Sequence, residues 1–547
     1  MPTVIFSKAE VEKSLGKRLP LDQLKERISM LGTDLEKVEG DEIHVEIFPN
    51  RPDLLSEQGF ARALSSFLGL KTGLRNYPVK KSGCKVMVDK SVSMRPYTAC
   101  AIVKNLTFTN ERIREMMQVQ EKLATTHGRN RKKSAYGIYP ADAISFPVKY
   151  VAKDPATLDF WPRGFSGYMK AAEVLEKHPK GKVYAHLTAG WKKFPFFIDA
   201  KGNVMCMLPL TNSQDTGKVT EQTKSVFVEC TGTDFPNVNV ALNILVTMLA
   251  DMGGEICSIE MVYPDKTFHT PTLEPLAMKV DWDYINKWLG LDLKENQFQT
   301  LLGRMGYGYM KGKVLIPAYR ADILHQVDIA EDVAIAYGYE NFKEEIPQVA
   351  TIGAEDPLGK FKRKLQDILV GLQLLEVKNY HLIAKEVLNE KMNKKDRGIS
   401  LKNALGEYNT LRDRLISGLL KNLTENQHNE YPQNIFELGR TFFLDDKEET
   451  GVKEIEKLAV AICHEKADFT ELKQMLDLLI STLGLEYKVK ECVLPSYIPG
   501  RVGKIVCQGV EIGCIGELHP QVLENWNLIM PAVVLELDME KLWEFIG

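Results

Sequence analysis

The chain contains no C-x-x-C pair among its nine cysteines, which lie at 84, 100, 206, 230, 257, 463, 492, 507 and 514. That removes the usual grounds for a structural zinc site. The odd count and wide scatter fit reduced, mostly buried thiols of a cytosolic, cytoplasmic protein better than a disulfide framework. Long hydrophobic runs are also lacking. The most apolar long stretch, Val238 to Met252, is broken by Asn239, Asn243, Thr247 and Asp251, so it reads as a buried helix and no membrane partner is expected. The opening segment, MPTVIFSKAEVEKSLG, has no basic flank followed by an apolar core and is not read as a secretory signal. Charge of one sign is scarce: the formal net charge is only -3. No global basic field is available to drive non-specific nucleic-acid binding, so any nucleic acid must be met by local patches. Gly306-Tyr307-Gly308 is not followed by the spacing of a nucleotide loop and reads as a turn.

What remains is ordinary globular protein: 547 residues, 44% hydrophobic and 26% charged. That length suggests about three or four domains, each able to bury a core.

Residues 317–339 stand out. Asp322, Asp328, Glu331 and Asp332 fall at spacings of six, three and one, and the last three begin an apolar helical pattern, Ile329, Val333, Ala336, Tyr337. On one helix face Asp328, Glu331 and Asp332 repel, which disfavours the helix unless something positive lies among them. A hard divalent cation, Mg2+ in the simplest case, would serve. Acidic residues also favour a helix N-terminus for the sake of the dipole, and Arg320 is available as a counter-ion.

Residues 1–78 give a strand at Thr3–Phe6, an amphipathic helix around Leu21–Leu31 and a strand at Ile43–Ile47. The string Pro49-Asn50-Arg51-Pro52-Asp53-Leu54-Leu55-Ser56 forces a turn before a helix that starts at Ser56-Glu57. Residues 79–268 carry strand-like runs at Lys85–Val88, Ala99–Val103, Val183–Leu187 and Val226–Glu229. Between them His127–Ser134 concentrates four cations, Arg129, Arg131, Lys132 and Lys133, in five residues. Such a loop suits phosphate contact, and equally a solvated surface. Asn212-Ser213 and Glu229-Cys230-Thr231-Gly232-Thr233-Asp234 put polar groups at the ends of apolar strands, as a binding pocket requires and as turn capping also does. Residues 269–350 hold two helical patterns, Trp282–Leu289 and Glu295–Met305, a strand at Lys313–Ile316 and the carboxylate helix. Residues 355–547 open with a helix at Leu358–Leu374, and alternating runs at Lys504–Cys507, Glu511–Ile515 and Ala532–Leu537 predict an antiparallel sheet. The fold class read from this is α+β and multidomain. His519, flanked by proline at a strand end, reads as a capping or core residue.

Several strings resemble the beta-subunit family of phenylalanyl-tRNA synthetases. That family reads roughly R-x-D-I, then D-I-x-E-D/E, then Y-G-Y. Here it stands as Arg320-Ala321-Asp322-Ile323, Asp328-Ile329-Ala330-Glu331-Asp332 and Tyr337-Gly338-Tyr339. The P-N-R-P-D-L-L-S string resembles the family's N-terminal domain, and 355–547 resemble its catalytic-like module of class II synthetase fold. The resemblance runs through the chain in order, at the length of the shorter archaeal and eukaryotic type. It implies an N-terminal interface domain (1–78), a proofreading domain (79–268), a Mg2+-binding carboxylate domain (269–350) and the catalytic-like core (355–547). It implies Mg2+ on Asp322, Asp328, Glu331 and Asp332, and a tRNA-editing pocket at Asn212, Ser213, Glu229, Thr231, Thr233 and Asp234. The partners implied are a synthetase alpha chain in an alpha2-beta2 assembly, tRNA(Phe), and ATP and phenylalanine at the alpha chain. No F-R-x-E and no G-x-G-x-E-R occurs anywhere, so adenylation is expected to belong to the other polypeptide.

One departure stands out. After the basic loop the family has Gly-Ile, His or Tyr, then Asp, whereas this chain has Gly137-Ile138-Tyr139-Pro140. Proline removes a side-chain acceptor and a backbone donor. Two other readings therefore stand beside the first. One is a non-enzymatic scaffold with an inactive pocket. The other is a free-standing Mg2+-dependent hydrolase, which lacks any evident nucleophile or phosphate loop.

Overall fold

The computed structural model describes residues 2–349, 351–395 and 398–546. The ends expected at 1, 350 and 547 lie outside them. The chain forms two compact units, one up to Ile346 and one from Pro347 onward. It is mixed α/β with several separate sheets.

In the first unit, period-two alternation turns Val4 and Phe6 of β1 (Thr3–Ser7) inward, together with Ile43 and Val45 of the third strand. With β2 (Asp34–Glu39) and β3 (Glu42–Glu46) they make an antiparallel sheet ordered β1-β3-β2. The proline-flanked turn delivers Ser56, whose hydroxyl accepts the Gly59 N–H at 3.0 Å and caps the helix Glu57–Phe67. Phe60 of that helix stacks on Phe6 with centroids 4.6 Å apart.

The next strands are β4 (Val79–Val88), β5 (Tyr97–Lys104), β6 (Ser134–Pro140), β7 (Val148–Lys153), the paired β8 (Asp159–Phe160) and β9 (Met169–Lys170), β10 (Phe194–Ile198), β11 (Val204–Met207), β12 (Thr211–Asn212), β13 (Val226–Gly232), β14 (Glu255–Val262) and β15 (Thr267–Thr270). Apart from β8 and β9 they form one ten-stranded sheet, in order β12-β11-β10-β7-β4-β14-β5-β13-β6, with β15 also on β14. The helix Phe235–Asp251, capped by Asp234, packs on β5 and β13 and buries most of the Val238–Met252 stretch, as its broken apolar pattern predicts. The strand expected at Val183–Leu187 is instead a helix, Pro179–Tyr184, followed by a 3-10 turn, Ala185–Thr188. His178 accepts the Lys180 N–H, and Pro179 at the first helical position fixes its own backbone angle, so local capping overrides the β propensity of Val183.

Three further strands, β16 (Leu276–Lys279), β17 (Gly308–Met310) and β18 (Lys313–Ile316), pair in order β16-β18-β17. They lie with the helices Trp282–Leu289, Glu295–Arg304 and Gln326–Tyr337. One hydrophobic core runs from Val4 to Ala336, so the segments expected as separate domains share buried side chains.

The second unit opens with the helix Pro357–Gly371, which stops before Leu374 because Gln373 takes a left-handed φ of 63°. Its strands are β19 (Leu375–Glu376), a small sheet of β20 (Leu382–Ala384), β21 (Ile399–Ser400) and β22 (Tyr408–Leu411), then β23 (Gln433–Leu444), β24 (Val452–Cys463), β25 (Tyr487–Glu491), β26 (Tyr497–Cys507), β27 (Val510–Leu518) and β28 (Ala532–Asp538). The large sheet is ordered β19-β23-β24-β28-β27-β26-β25 and is antiparallel except between β19 and β23. Alternate residues feed two cores: Leu458, Val460 and Ile462 join one, Ala459, Ala461 and Cys463 the other. Both faces of this sheet are therefore covered. No helix among the described residues is long and apolar enough to cross a membrane.

Candidate functional site

Two polar groups in the first unit and one in the second stand out by burial. The first lies on β13. Every residue of β13 is buried, and Glu229 sits in its middle with Cys100 opposite on β5 and Gly137 opposite on β6. Glycine is required at 137: a Cβ there would lie 2.4 Å from the Tyr139 hydroxyl and 2.6 Å from Glu229 Oε1. The space so left lets Tyr139, two residues along the same face, fold back over the carboxyl group. Its hydroxyl lies 3.2 Å from Glu229 Oε1 and 3.2 Å from Asn212 Oδ1. Burial raises the Glu229 pKa to about 8, against the opposing hydrogen bond from Tyr139 and the charge of Arg95.

The proton count agrees. A phenol has one proton for two acceptors, and a protonated Glu229 supplies the second, donating to the phenol oxygen while the phenol donates to Asn212. Two oxygens are left over: Glu229 Oε2 and the Thr231 hydroxyl are both buried without a hydrogen-bond partner. Buried groups of this kind cost about 1–3 kcal/mol each if nothing ever meets them. Arg95 braces the strand from beneath, donating to the Thr231 carbonyl at 2.8 Å and the Arg131 carbonyl at 3.0 Å.

The structure divides the six expected pocket residues. Asn212, Glu229 and Thr231 belong to this group. Ser213 is buried, but its hydroxyl caps the short helix Gln214–Gly217 by accepting the Asp215 N–H. Thr233 is exposed and its backbone N–H donates to the Lys133 carbonyl, while Asp234 caps the helix Phe235–Asp251 and pairs with Lys133 at 3.4 Å. Tyr139, Arg95 and Gly137 were not singled out from sequence as pocket residues. Strand parity puts Tyr139 on the face of Gly137, but only the pairing of β6 with β13 puts that face over Glu229. Pro140 closes the edge strand β6, where the lost backbone donor is cheap.

The basic loop is similarly split. Arg129, Asn130 and Arg131 follow one another at φ of 49°, 52° and 65°. This left-handed turn sends their side chains different ways. Arg129 and Lys132 are exposed, and Lys133 faces Asp234. Arg131 turns inward, donating to the Leu210 carbonyl at 3.0 Å and to Glu121 at 2.8 Å, and lies over the Tyr184 ring.

The second group is the carboxylate cluster. Asp328 sits in the first turn of the helix Gln326–Tyr337 and accepts the backbone N–H groups of Leu324 and His325, both at 2.7 Å. Arg320 is buried; its guanidinium grips Asp322 at 2.8 and 2.7 Å and reaches Asp332 at 2.8 Å. The Tyr307 hydroxyl also donates to Asp332. Glu331 is left on the exposed side, its pKa raised by burial and then by Asp332, Asp328 and Asp322. Hard oxygens in this number suit Mg2+, but they do not converge. Two are held by Arg320 and one is spent on the helix cap, and no group of three or more His, Cys, Asp or Glu among the described residues is arranged to hold an ion. The four carboxylates as folded do not fit a metal centre, and the counter-ion present is Arg320.

The third group lies in the second unit. Glu437 of β23 is fully buried, with Arg412 at 2.6 Å and the Asn379 amide at 2.8 Å. Gly439 makes room, since a Cβ there would come within 2.5 Å of the Arg412 guanidinium. Glu536 accepts the N–H groups of Leu415 and Ile416 and pairs with Lys457 at 2.8 Å. Arg440 and Arg501 are bound to Glu454 and Glu517. His519 accepts the Gln521 N–H as a helix cap, as its proline-flanked position predicts.

The profile of the tRNA synthetase B5 domain matches residues 278–339, and that of the phenylalanyl tRNA synthetase beta chain CLM domain matches 343–539. The phenylalanine--tRNA ligase beta subunit of Pyrococcus furiosus is 40% identical over 99% of this chain and 100% of its own length. That of Archaeoglobus fulgidus is 39% identical over 100% of this chain and 99% of its own. Among solved structures, an N-terminal fragment of the phenylalanyl-tRNA synthetase beta subunit from Pyrococcus horikoshii is similar with a TM-score of 0.59 and 39% identity, covering 61% of this chain and 99% of the fragment.

Proposed function

Because this chain belongs to the family of phenylalanine--tRNA ligase beta subunits, we propose that it works as the non-adenylating partner of a class II alpha chain in an alpha2-beta2 ligase, and that its ten-stranded sheet hydrolyses tyrosine wrongly esterified to tRNA(Phe). ATP and phenylalanine are then handled by the alpha chain. In support, Arg412, Arg440 and Arg501 are all engaged by carboxylates of their own unit. The purified chain alone is expected to give no phenylalanine-dependent pyrophosphate exchange, and robust exchange by it would overturn this assignment.

The observation that carries the proofreading reading is the pair of unpartnered buried oxygens, Glu229 Oε2 and Thr231 Oγ1, beside the Asn212–Tyr139–Glu229 hydrogen bonds. A tyrosyl hydroxyl entering there meets a carboxyl oxygen able to accept, Glu229 Oε2, and a hydroxyl able to donate and accept, Thr231 Oγ1. Phenylalanine would leave both unpaired, the situation in which polar sites discriminate most strongly. Hydrolysis further needs an oriented water and donors for the developing oxyanion, for which Asn212 and Thr231 are candidates. The exposed Arg129 and Lys132 are the tRNA-facing cations in this reading. The test is release of labelled tyrosine from preformed tyrosyl-tRNA(Phe) by the alpha–beta complex. The parent is expected to release it and Glu229→Ala to lose the activity.

One observation favours the scaffold reading: Glu229 is fully buried, with the chain's own phenol across it. No tyrosine release above the spontaneous rate by the parent would decide for it. The hydrolase reading has lost its support, since the carboxylates it needs are held by Arg320 and a helix cap. No step is assigned to Mg2+.

A further inference from the structure

Beside the Glu229 group lies a cavity of about 250 Å³ whose wall carries three cations from three separate segments, Arg131, Arg163 and Lys180, against a single carboxylate, Glu121. Glu121 is already shared, at 2.8 Å from Arg131 and 3.4 Å from Lys180. Arg163 is anchored by the Gly217 carbonyl at 3.0 Å and has no ion pair among the described residues. Arg131 Nε is buried without a hydrogen-bond partner. Burial, with Arg131 and Arg163 alongside, lowers the Lys180 pKa. Three like charges are thus held together with one internal carboxylate between them, in a chain whose net charge is only -3. The same wall includes Asn212, which leads through Tyr139 to Glu229.

We propose that this cavity is a phosphate subsite: Arg131, Arg163 and Lys180 hold a backbone phosphate at the 3′ end of an RNA while the ester on that end reaches Asn212 and Glu229. The inference rests on the proofreading reading above and deepens it. An aminoacyl ester has no free carboxylate, so the anion arriving with it is a phosphate, whose oxygens can be met from several directions at once. The same cations repel the α-ammonium group of the ester and turn it away from the cavity, leaving the side chain toward Glu229.

Two measurements on the alpha–beta complex test it. The first labels lysines with an amine-acylating reagent and reads Lys180 by mass spectrometry, with a short RNA hairpin ending in CCA or with adenosine as probe. The hairpin is expected to lower Lys180 labelling by a factor of about five or more while adenosine does not, and Arg163→Gln is expected to abolish the protection. Absent protection, or equal protection by adenosine, overturns the subsite. The second compares hydrolysis of tyrosyl-tRNA with that of 3′-O-tyrosyl-adenosine, which carries no phosphate. Arg163→Gln with Lys180→Gln should raise KM for tyrosyl-tRNA roughly tenfold, and flatten its salt dependence by about one unit of log–log slope per cation removed. The preference for tyrosyl-tRNA over the nucleoside ester should fall with it. Arg163→Lys should restore part of the loss. A parent that hydrolyses both esters and a variant with the same KM and salt slope would overturn the subsite alone. Protection of Lys180 by RNA in a parent that hydrolyses neither ester would overturn the proofreading reading and leave the subsite standing.

Discussion

Tyr139 and Asn212 lie on β6 and β12, the two ends of the strand order of the ten-stranded sheet, yet the Tyr139 hydroxyl is 3.2 Å from Asn212 Oδ1. The sheet curls until its edges meet, and the meeting point is the group that holds Glu229. Edge protection and the candidate site are therefore one structure. Tyr139→Phe is expected to destabilise the protein by about 1–3 kcal/mol, because Asn212 and Glu229 lose a shared partner inside the fold. Gly137→Ala should cost as much or more, since its methyl group meets the hydroxyl at 2.4 Å. Urea unfolding of both variants checks this; full stability in Gly137→Ala would mean that Tyr139 does not occupy this position.

Glu229 gives a pH dependence of known sign. Its folded pKa is raised to about 8 by burial, from an ordinary carboxyl value of 4.5. Between these values the folded state holds a proton that the unfolded chain has lost. Stability is therefore greatest below the lower value, falls as pH rises toward about 8, and levels off above it. The total is of order 5 kcal/mol. Glu229→Gln should remove this slope, and the difference in melting temperature between parent and variant across pH 5 to 8 measures it. Parallel curves would show that Glu229 is ionised in the fold.

Arg320 predicts the behaviour of the carboxylate cluster toward Mg2+. With Arg320 in place, the melting temperature should not rise on addition of the ion. Arg320→Met should cost about 3–5 kcal/mol by leaving Asp322 and Asp332 without their counter-ion. Mg2+ should then recover part of the loss. Strong stabilisation of the parent by Mg2+, abolished in the double variant Asp328→Asn with Glu331→Gln, would show that the ion and the guanidinium share the cluster.

In the second unit Glu437→Gln and Arg412→Met should each lower stability by about 3–5 kcal/mol, because each strands a buried charge. The double variant should lose less than the sum. Additive losses would mean that the 2.6 Å contact carries no coupling.

Most of the elements were legible in the sequence, because they rest on local physics. Period-two alternation gives β1 and β3 their inward residues, and capping by Ser56 sets where the helix Glu57–Phe67 begins. The buried character of Val238–Met252 followed from its interrupted apolar pattern. Where a local rule competes with another, as at Pro179 before Val183, propensity alone chose the wrong element.

The order of charges along 317–339 told that the carboxylates crowd, and left open whether a metal ion, the helix N-terminus or Arg320 relieves them. Only the tertiary structure decided, because the answer depends on the direction in which a buried guanidinium points once β18 and the helix Gln326–Tyr337 have packed. The same holds for the pocket. Asn212 and Glu229 stood in the sequence as isolated polar residues at strand ends, 17 positions apart. Tyr139 joins them through the register of β6 on β13 and the curl that brings β12 to β6, and pairing across a sheet is fixed by long-range packing rather than by neighbours along the chain.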